Sequence, residues 1–314
     1  MNQQEAQDKC ARAVALVTGG GAVADPAGAV ALFTEVADAG FAEGQFGLAE
    51  LKLTGNGTAF DDAGAVKLYE QAAAQGNVPA LFRLAQISAA DGPYHNGDKA
   101  RSCLEKCAAA GFPPAFGALG DCFFYGRGTL PDPGKAAQWY AKAAKNGDFS
   151  SMYKLGCMLE GGMGLAADPE LSQQMFLQAA YGGIAEAQFR VAALAYDGKI
   201  KGGRKAAAQW YSSCAEKIPV AKFNLATMYN NGDGVPADKE KAFKLYSEVA
   251  TTGDADALFQ VGKMYIDGDG VVQEPAKGFE FIGRAAQAGS DEAKVLIENL
   301  KRRQNTQFVR IDGT

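Results

Sequence analysis

Apolar residues in the stretch GVPADKEKAFKLYSEVATTG, residues 234–253, fall at Ala242, Leu245, Tyr246 and Val249, the spacing of one helix face. Gly234 and Pro236 mark a turn before it, Asp238 offers a helix start and Gly253 a stop. The pattern returns as KAAQWYAKAAKNG (135–147), KAAAQWYSSCAEKI (205–218) and AGAVKLYEQAAAQG (63–76). The closing glycines Gly40, Gly76, Gly111, Gly147, Gly183, Gly253 and Gly289 stand 35 or 36 residues apart once Ile218, where one is missing, is counted among them.

A second helical pattern follows each closing residue, as in AEAQFRVAALAYDG (185–198), AKFNLATMYNNG (221–232) and ADALFQVGKMYIDG (255–268). The unit therefore reads helix, glycine-bearing loop, helix, turn, and the opening stretch is the second half of one. Gly or Ala follows an apolar residue in the middle of each first helix, at Ala49, Ala85, Gly120, Gly156, Ala192, Ala226 and Gly262, where a small side chain lets a neighbouring helix approach closely. A helix pair this short cannot bury its apolar stripe alone, so neighbouring pairs must cover one another in a solenoid.

The fullest copies, FNLATMYNNGDGVPADKEKAFKLYSEVATTG and FGALGDCFFYGRGTLPDPGKAAQWYAKAAKNG, resemble the Sel-one-like repeats, relatives of the tetratricopeptide repeat. The signature shared is an Ala-rich first helix, a Gly-x-Gly loop, an acidic residue, Lys-Ala, an aromatic pair and a closing glycine. The resemblance covers nearly all of residues 5–304 and departs most in the first unit and around ISAADGPYHNGDKA. It implies an all-α, right-handed superhelical α/α solenoid of about eight helix-turn-helix repeats in one domain, 1–304, with units ending near 40, 76, 111, 147, 183, 218, 253 and 289. SDEAKVLIENLKRRQ, with Lys301, Arg302 and Arg303, is expected to form a capping helix over 290–304, and 305–314 a flexible tail. The family resembles tetratricopeptide proteins in acting as a binding scaffold, which implies a protein or peptide partner and no catalysis.

By the same likeness the first helices should line a concave groove. Residues opposite the Leu-Tyr stripe are then the candidate partner contacts: Glu50, Gln86, Asp121, Phe124, Lys154, Arg190, Tyr196, Asn224, Thr227, Asn230 and Lys263. Arg190, Tyr196, Asn224 and Thr227 rank first among them because Ile218 and Pro219 break the closing-glycine rule beside them. A β-branched residue before proline prefers an extended backbone, so a different turn is expected there. The ladder Phe46, Phe82, Phe116, Tyr153, Phe189, Phe223 and Phe259 lies off the Leu-Tyr stripe, and the packed reading has the edge over presentation to a partner.

Charge narrows the partner. A net charge of −5 and a pI near 5.2 argue against a nucleic-acid or anionic-membrane surface, both of which need a dense field of Lys and Arg. The amino-terminal segment carries charges where a secretory signal needs an apolar run, and nothing approaches the ~18 apolar residues of a spanning helix. A cytoplasmic monomer is the expectation. Six irregularly placed cysteines are expected to be free thiols, with Cys107 and Cys214 filling the small position held by Ala143 and Ala73 elsewhere.

Candidate chemistry fails on spacing. DGDGV (267–271) starts like a calcium loop, but the twelfth position is Gly278, not Glu. TGGGA (18–22) has no preceding strand and no Lys-Ser or Lys-Thr pair, and reads as a loop between helices. His95 is the single histidine and sits in a turn, which excludes paired-His metal sites. No cofactor, metal or catalytic residue is expected, and the Trp139-Tyr140 and Trp210-Tyr211 pairs read as core because Leu68-Tyr69 and Leu245-Tyr246 stand at the matching positions.

Overall fold

The computed structural model describes residues 1–19 and 23–311, side chains after Arg302 excepted. Gly20, Gly21 and Ala22 of the TGGGA segment, and the last residues of the tail, lie outside the described residues. Among those described there are seventeen helices and no strand. The chain forms two compact units, Met1–Pro169 and Glu170–Thr314.

In the first unit, first helices α1 (Gln3–Thr18), α3 (Ala42–Thr54), α5 (Val78–Ala89) and α7 (Pro114–Tyr125) alternate with second helices α2 (Pro26–Asp38), α4 (Asp62–Ala74), α6 (Gly97–Ala109) and α8 (Pro133–Lys145). α9 (Phe149–Gly161) follows. The second unit contains α10 (Pro169–Tyr181), then the pairs α11 (Ala185–Tyr196) and α12 (Gly203–Cys214), α13 (Pro219–Asn231) and α14 (Lys239–Ala250), α15 (Ala255–Asp267) and α16 (Pro275–Gln287).

Local sequence explains many of the boundaries. Asp61, Asn96, Asp132 and Asp238 cap α4, α6, α8 and α14, each accepting a hydrogen bond at 2.8 to 2.9 Å from the backbone N–H three residues on, an interaction worth about 1 kcal/mol. At the far end the closing glycines adopt positive φ, from +75° at Gly111 to +111° at Gly289. Gly76 N–H bonds to Ala73 O and Asn77 N–H to Ala72 O, at 3.0 and 3.1 Å, the paired pattern of a Schellman turn that satisfies the last carbonyls of α4.

Ile218 is extended, at φ −124° and ψ +101°. It does not replace a closing glycine, however. It caps α13 with Pro219 as first helical residue, the place Asp254 holds before α15, so the glycine is deleted and the turn shortened. The Ile218 N–H bonds instead to Cys214 O at 2.9 Å.

The apolar stripe is buried as its spacing predicts: Tyr69, Tyr140, Tyr211 and Tyr246 are at most 4% exposed. The residues before them, Leu68, Trp139, Trp210 and Leu245, are half-buried. Cys107 and Cys214 are fully buried in the small position; its equivalent in α4 is Ala72, three residues after Tyr69, and Ala73 is only half-buried. A Cβ on Gly120 would lie 2.5 Å from the Tyr140 ring, and one on Gly262 would lie 2.7 Å from Ile282, which is why these positions are small. The aromatic ladder packs inward: Phe46 meets Tyr69, Phe116 meets Trp139, Phe189 meets Tyr211 and Phe223 meets Tyr246, with ring centroids 5.1 to 6.0 Å apart.

Helix α17 (Asp291–Ile311) ends the second unit and seats Ala293, Leu296 and Ile297 on the core. It continues past residue 304, where a tail was expected, because no Gly or Pro interrupts the chain between Gly289 and Gly313.

Candidate functional site

Three of the candidate positions on the first helices, Glu50, Asp121 and Thr227, meet the second helices' buried tyrosines, and each tyrosine needs a hydrogen-bond partner for its hydroxyl. Tyr69 donates to Glu50 Oε1 at 2.5 Å, and Arg83 of α5 holds the same carboxylate through Nε and Nη2, both at 2.7 Å. Tyr140 donates to Asp121 Oδ1 at 2.6 Å, where Lys154 also donates at 2.6 Å while its ammonium lies 5.4 Å from the Tyr140 ring centre. The node is therefore built twice, each time from three successive helices that supply acceptor, hydroxyl and cation. Burial, then the neighbouring carboxylate, pushes the hydroxyls of Tyr69 and Tyr140 well above the ordinary tyrosine range.

In the second unit the chemistry is neutral. Thr227 Oγ1 and Tyr246 Oη share a hydrogen bond at 2.8 Å. Tyr211 has Ala192 at the sequence position that supplies the other tyrosines' acceptor, and hydrogen-bonds instead to Asn224 of the next first helix. Burial raises the Tyr211 hydroxyl and the Asn224 contact offsets part of that rise.

Several candidate residues line clefts between consecutive first helices. Tyr196, Asn224 and Thr227 come together with Tyr211 and Met228 around a cleft of about 220 Å³. Gln86 and Asp121 share one of about 150 Å³ between α5 and α7, where Gln86 accepts from Arg83 at 3.2 Å. Glu50 borders a third, about 420 Å³, between α1, α3 and α5, whose walls include Val14, Val17, Phe33, Phe46 and Pro79.

The remaining candidates stand outside these clefts. Phe124 packs edge-on to Tyr125, and Lys154 is committed to its node. Arg190 lies over Phe176, 5.5 Å from the ring centre, and does not join the three residues ranked with it. Asn230 bonds to its neighbour Asn231, while Lys263 is exposed beside Phe259. Spacing alone missed Arg83, which grips Glu50 across a helix pair, and the apolar walls from α1; no local signal marks either.

The two descriptions, stacked helix pairs and polar nodes shared between successive pairs, define an α/α repeat protein of the kind that presents a surface. Seven stretches, 42–77, 78–112, 118–148, 150–184, 185–217, 219–253 and 255–290, match the Sel1 repeat. The chain belongs to the Sel1 repeat family, whose members generally act as protein-interaction scaffolds. It is similar in structure to a protective antigen of uropathogenic Escherichia coli that displays an SLR fold, at 26% identity and a TM-score of 0.72 over 94% of this chain and 72% of that one. A Sel1 repeat protein from Oxalobacter formigenes matches at 26% identity and a TM-score of 0.67, over 87% and 80%.

Among curated proteins, chitin synthase regulatory factor 3 of Schizosaccharomyces pombe is 33% identical over 43% of this chain and 16% of its own length. The ERAD-associated E3 ubiquitin-protein ligase component HRD3B of Arabidopsis thaliana is 35% identical over 26% and 14%. The chain thus spans under a fifth of these relatives. Their names describe regulatory or component proteins. Among the described residues no helix is long and apolar enough to cross a membrane.

Proposed function

We propose that the chain is a non-enzymatic scaffold that binds a peptide or protein surface of its partner along the first-helix face of each unit. The observation that supports this most is the cleft between α1, α3 and α5: its walls are mainly apolar, and Glu50 at its edge is held in place by Tyr69 and Arg83. Such a cleft suits an apolar anchor residue, with the fixed carboxylate setting register. Tyr196, Asn224 and Thr227 supply a smaller polar counterpart in the second unit. The names of the curated relatives favour a narrower version, a regulatory subunit whose partner carries the activity. We place it in the cytoplasm, in keeping with six free cysteines, and propose that it acts as a monomer.

Affinity capture from the native cell with quantitative mass spectrometry tests this reading. A partner should be held by the wild type, lost by Val14→Glu, which puts a charge into the apolar cleft at an exposed position, and weakened by Asn224→Ala with Thr227→Ala. An unchanged set of captured proteins across these variants would refute it.

A further inference from the structure

Five loops joining a first to a second helix carry Gly-x-Gly, and in each the second glycine lies against the start of the preceding second helix. A Cβ on Gly57, Gly128, Gly164, Gly234 or Gly270 would sit 2.1 to 2.4 Å from backbone atoms there, closer than any side chain can stand. All five have φ between +67° and +75°. In the α11–α12 loop the corresponding residues are Gly198 and Ile200, so the second glycine is gone. Ile200 cannot make the close approach. In its place a cleft of about 740 Å³ opens between α10 and α12, with Ile200 in its wall.

The cleft has a definite chemistry. Leu177, Ala206 and Trp210 give it an apolar bed, and Tyr181, 78% exposed, stands edge-on to Trp210 with ring centroids 5.2 Å apart. Lys199 and Lys201 flank this aromatic pair, and no carboxylate lines the cleft although the chain as a whole is net negative at −5. Asp197, outside the lining, meets Lys199 at 3.4 Å, whereas Lys201 makes no ion pair among the described residues. Gln173 and Gln209 add amide groups that can bond to an extended backbone.

A volume of this size falls within the range of about 300–1,000 Å³ typical of binding clefts. Two lysines select anionic groups, and exposed aromatic faces take proline or another ring. A polynucleotide would need a far longer cationic track than two side chains. We propose that this cleft docks an acidic peptide segment of a partner protein, with a proline or aromatic residue packed on Trp210 and Tyr181 and flanking carboxylates paired with Lys199 and Lys201. The site is built from second helices and is independent of the first-helix clefts, so either can fail alone.

Fluorescence anisotropy on the full chain tests it, with fluorescein-labelled peptide Glu-Glu-Phe-Pro-Glu-Glu as probe and its Lys-for-Glu counterpart as control. The acidic peptide should bind saturably and the basic one should not. Lys199→Glu with Lys201→Glu should weaken binding about tenfold or more, given up to ~1 kcal/mol for each exposed charge pair. Ile200→Gly, which permits the approach seen in the other loops, should abolish it at unchanged helix content by circular dichroism. The proposal is overturned if the acidic peptide fails to bind at millimolar concentration, if the basic peptide binds equally, if the double lysine variant binds as the wild type does, or if free glutamate or inorganic phosphate competes as well as unlabelled peptide. Should Ile200→Gly not fold, the lysine variant and the peptide pair still decide.

Discussion

Replacing Gly234 and Gly253 separately by alanine distinguishes two demands that the fold makes on glycine. Both residues have positive φ, +72° and +82°, but nothing lies within 4 Å of a Cβ on Gly253, whereas one on Gly234 would meet Arg204 C at 2.3 Å, Arg204 O at 2.5 Å and Lys205 N at 2.6 Å. Gly253→Ala incurs only the left-handed backbone penalty, about 1 kcal/mol. Gly234→Ala incurs the same penalty and must also push the loop about 1 Å off the start of α12, an overpacking cost of roughly 1–3 kcal/mol. That displacement also strains the Arg204 contacts, a 2.5 Å ion pair to Asp233 and a position 5.1 Å from the Tyr196 ring centre. The expected losses are thus about 1 kcal/mol for Gly253→Ala and about 2–4 kcal/mol for Gly234→Ala, readable from urea unfolding midpoints followed by circular dichroism. Losses equal within about 0.5 kcal/mol would refute the close-approach account of the Gly-x-Gly loops.

Tyr140→Phe should cost about 1–2 kcal/mol in the same assay, because Asp121 loses a charge-assisted hydrogen bond, and should cost more than Tyr246→Phe, whose partner Thr227 is neutral. The Asp132 carboxylate is held below its ordinary range, first by the Lys135 backbone N–H; a depressed folded value gives stabilisation that is present above the unfolded value near pH ~4 and lost as pH falls through the folded one. The urea midpoint should therefore drop as pH falls below about 4, and less so in Asp132→Asn, which still caps the helix; identical profiles for the two proteins would refute this. Burial pushes the Cys107 and Cys214 thiols up to about 11, so both should resist alkylation at pH 8 until urea is added, while half-buried Cys10 and Cys157 react before them. Peptide mapping by mass spectrometry reads the order.

The fold was legible because its determinants are local and repeated. Asp238 as cap, Gly253 as stop and the Ala242, Tyr246, Val249 stripe each act within a few residues, and each reappears in phase. Ile218 showed as an irregularity, but whether a glycine was replaced or deleted depended on where α13 begins, which spacing does not resolve to one residue. The candidate contacts were placed on a shared face, yet Glu50 and Asp121 proved to be bound by residues 19 and 33 positions downstream. Pairings of that range depend on how one hairpin rests on the next, and no single helix encodes them. The second glycine of each Gly-x-Gly loop read as turn chemistry alone, since the backbone it must clear belongs to the preceding pair.

The three-part nodes also determine how the array can be cut and rejoined. Glu50 and Tyr69 belong to one helix pair, but Arg83 belongs to the next, so a graft that begins or ends at the turn after α4 carries the carboxylate away from its guanidinium. The unit that can be transplanted intact is thus not the pair that the sequence repeats but an overlapping triplet, α3 to α5, with the junction placed after Arg83. The same holds for Asp121, Tyr140 and Lys154 across α7 to α9. Shuffling by whole sequence repeats would leave a partly buried carboxylate without its cation at every acidic seam, whereas shuffling by triplets would preserve each one.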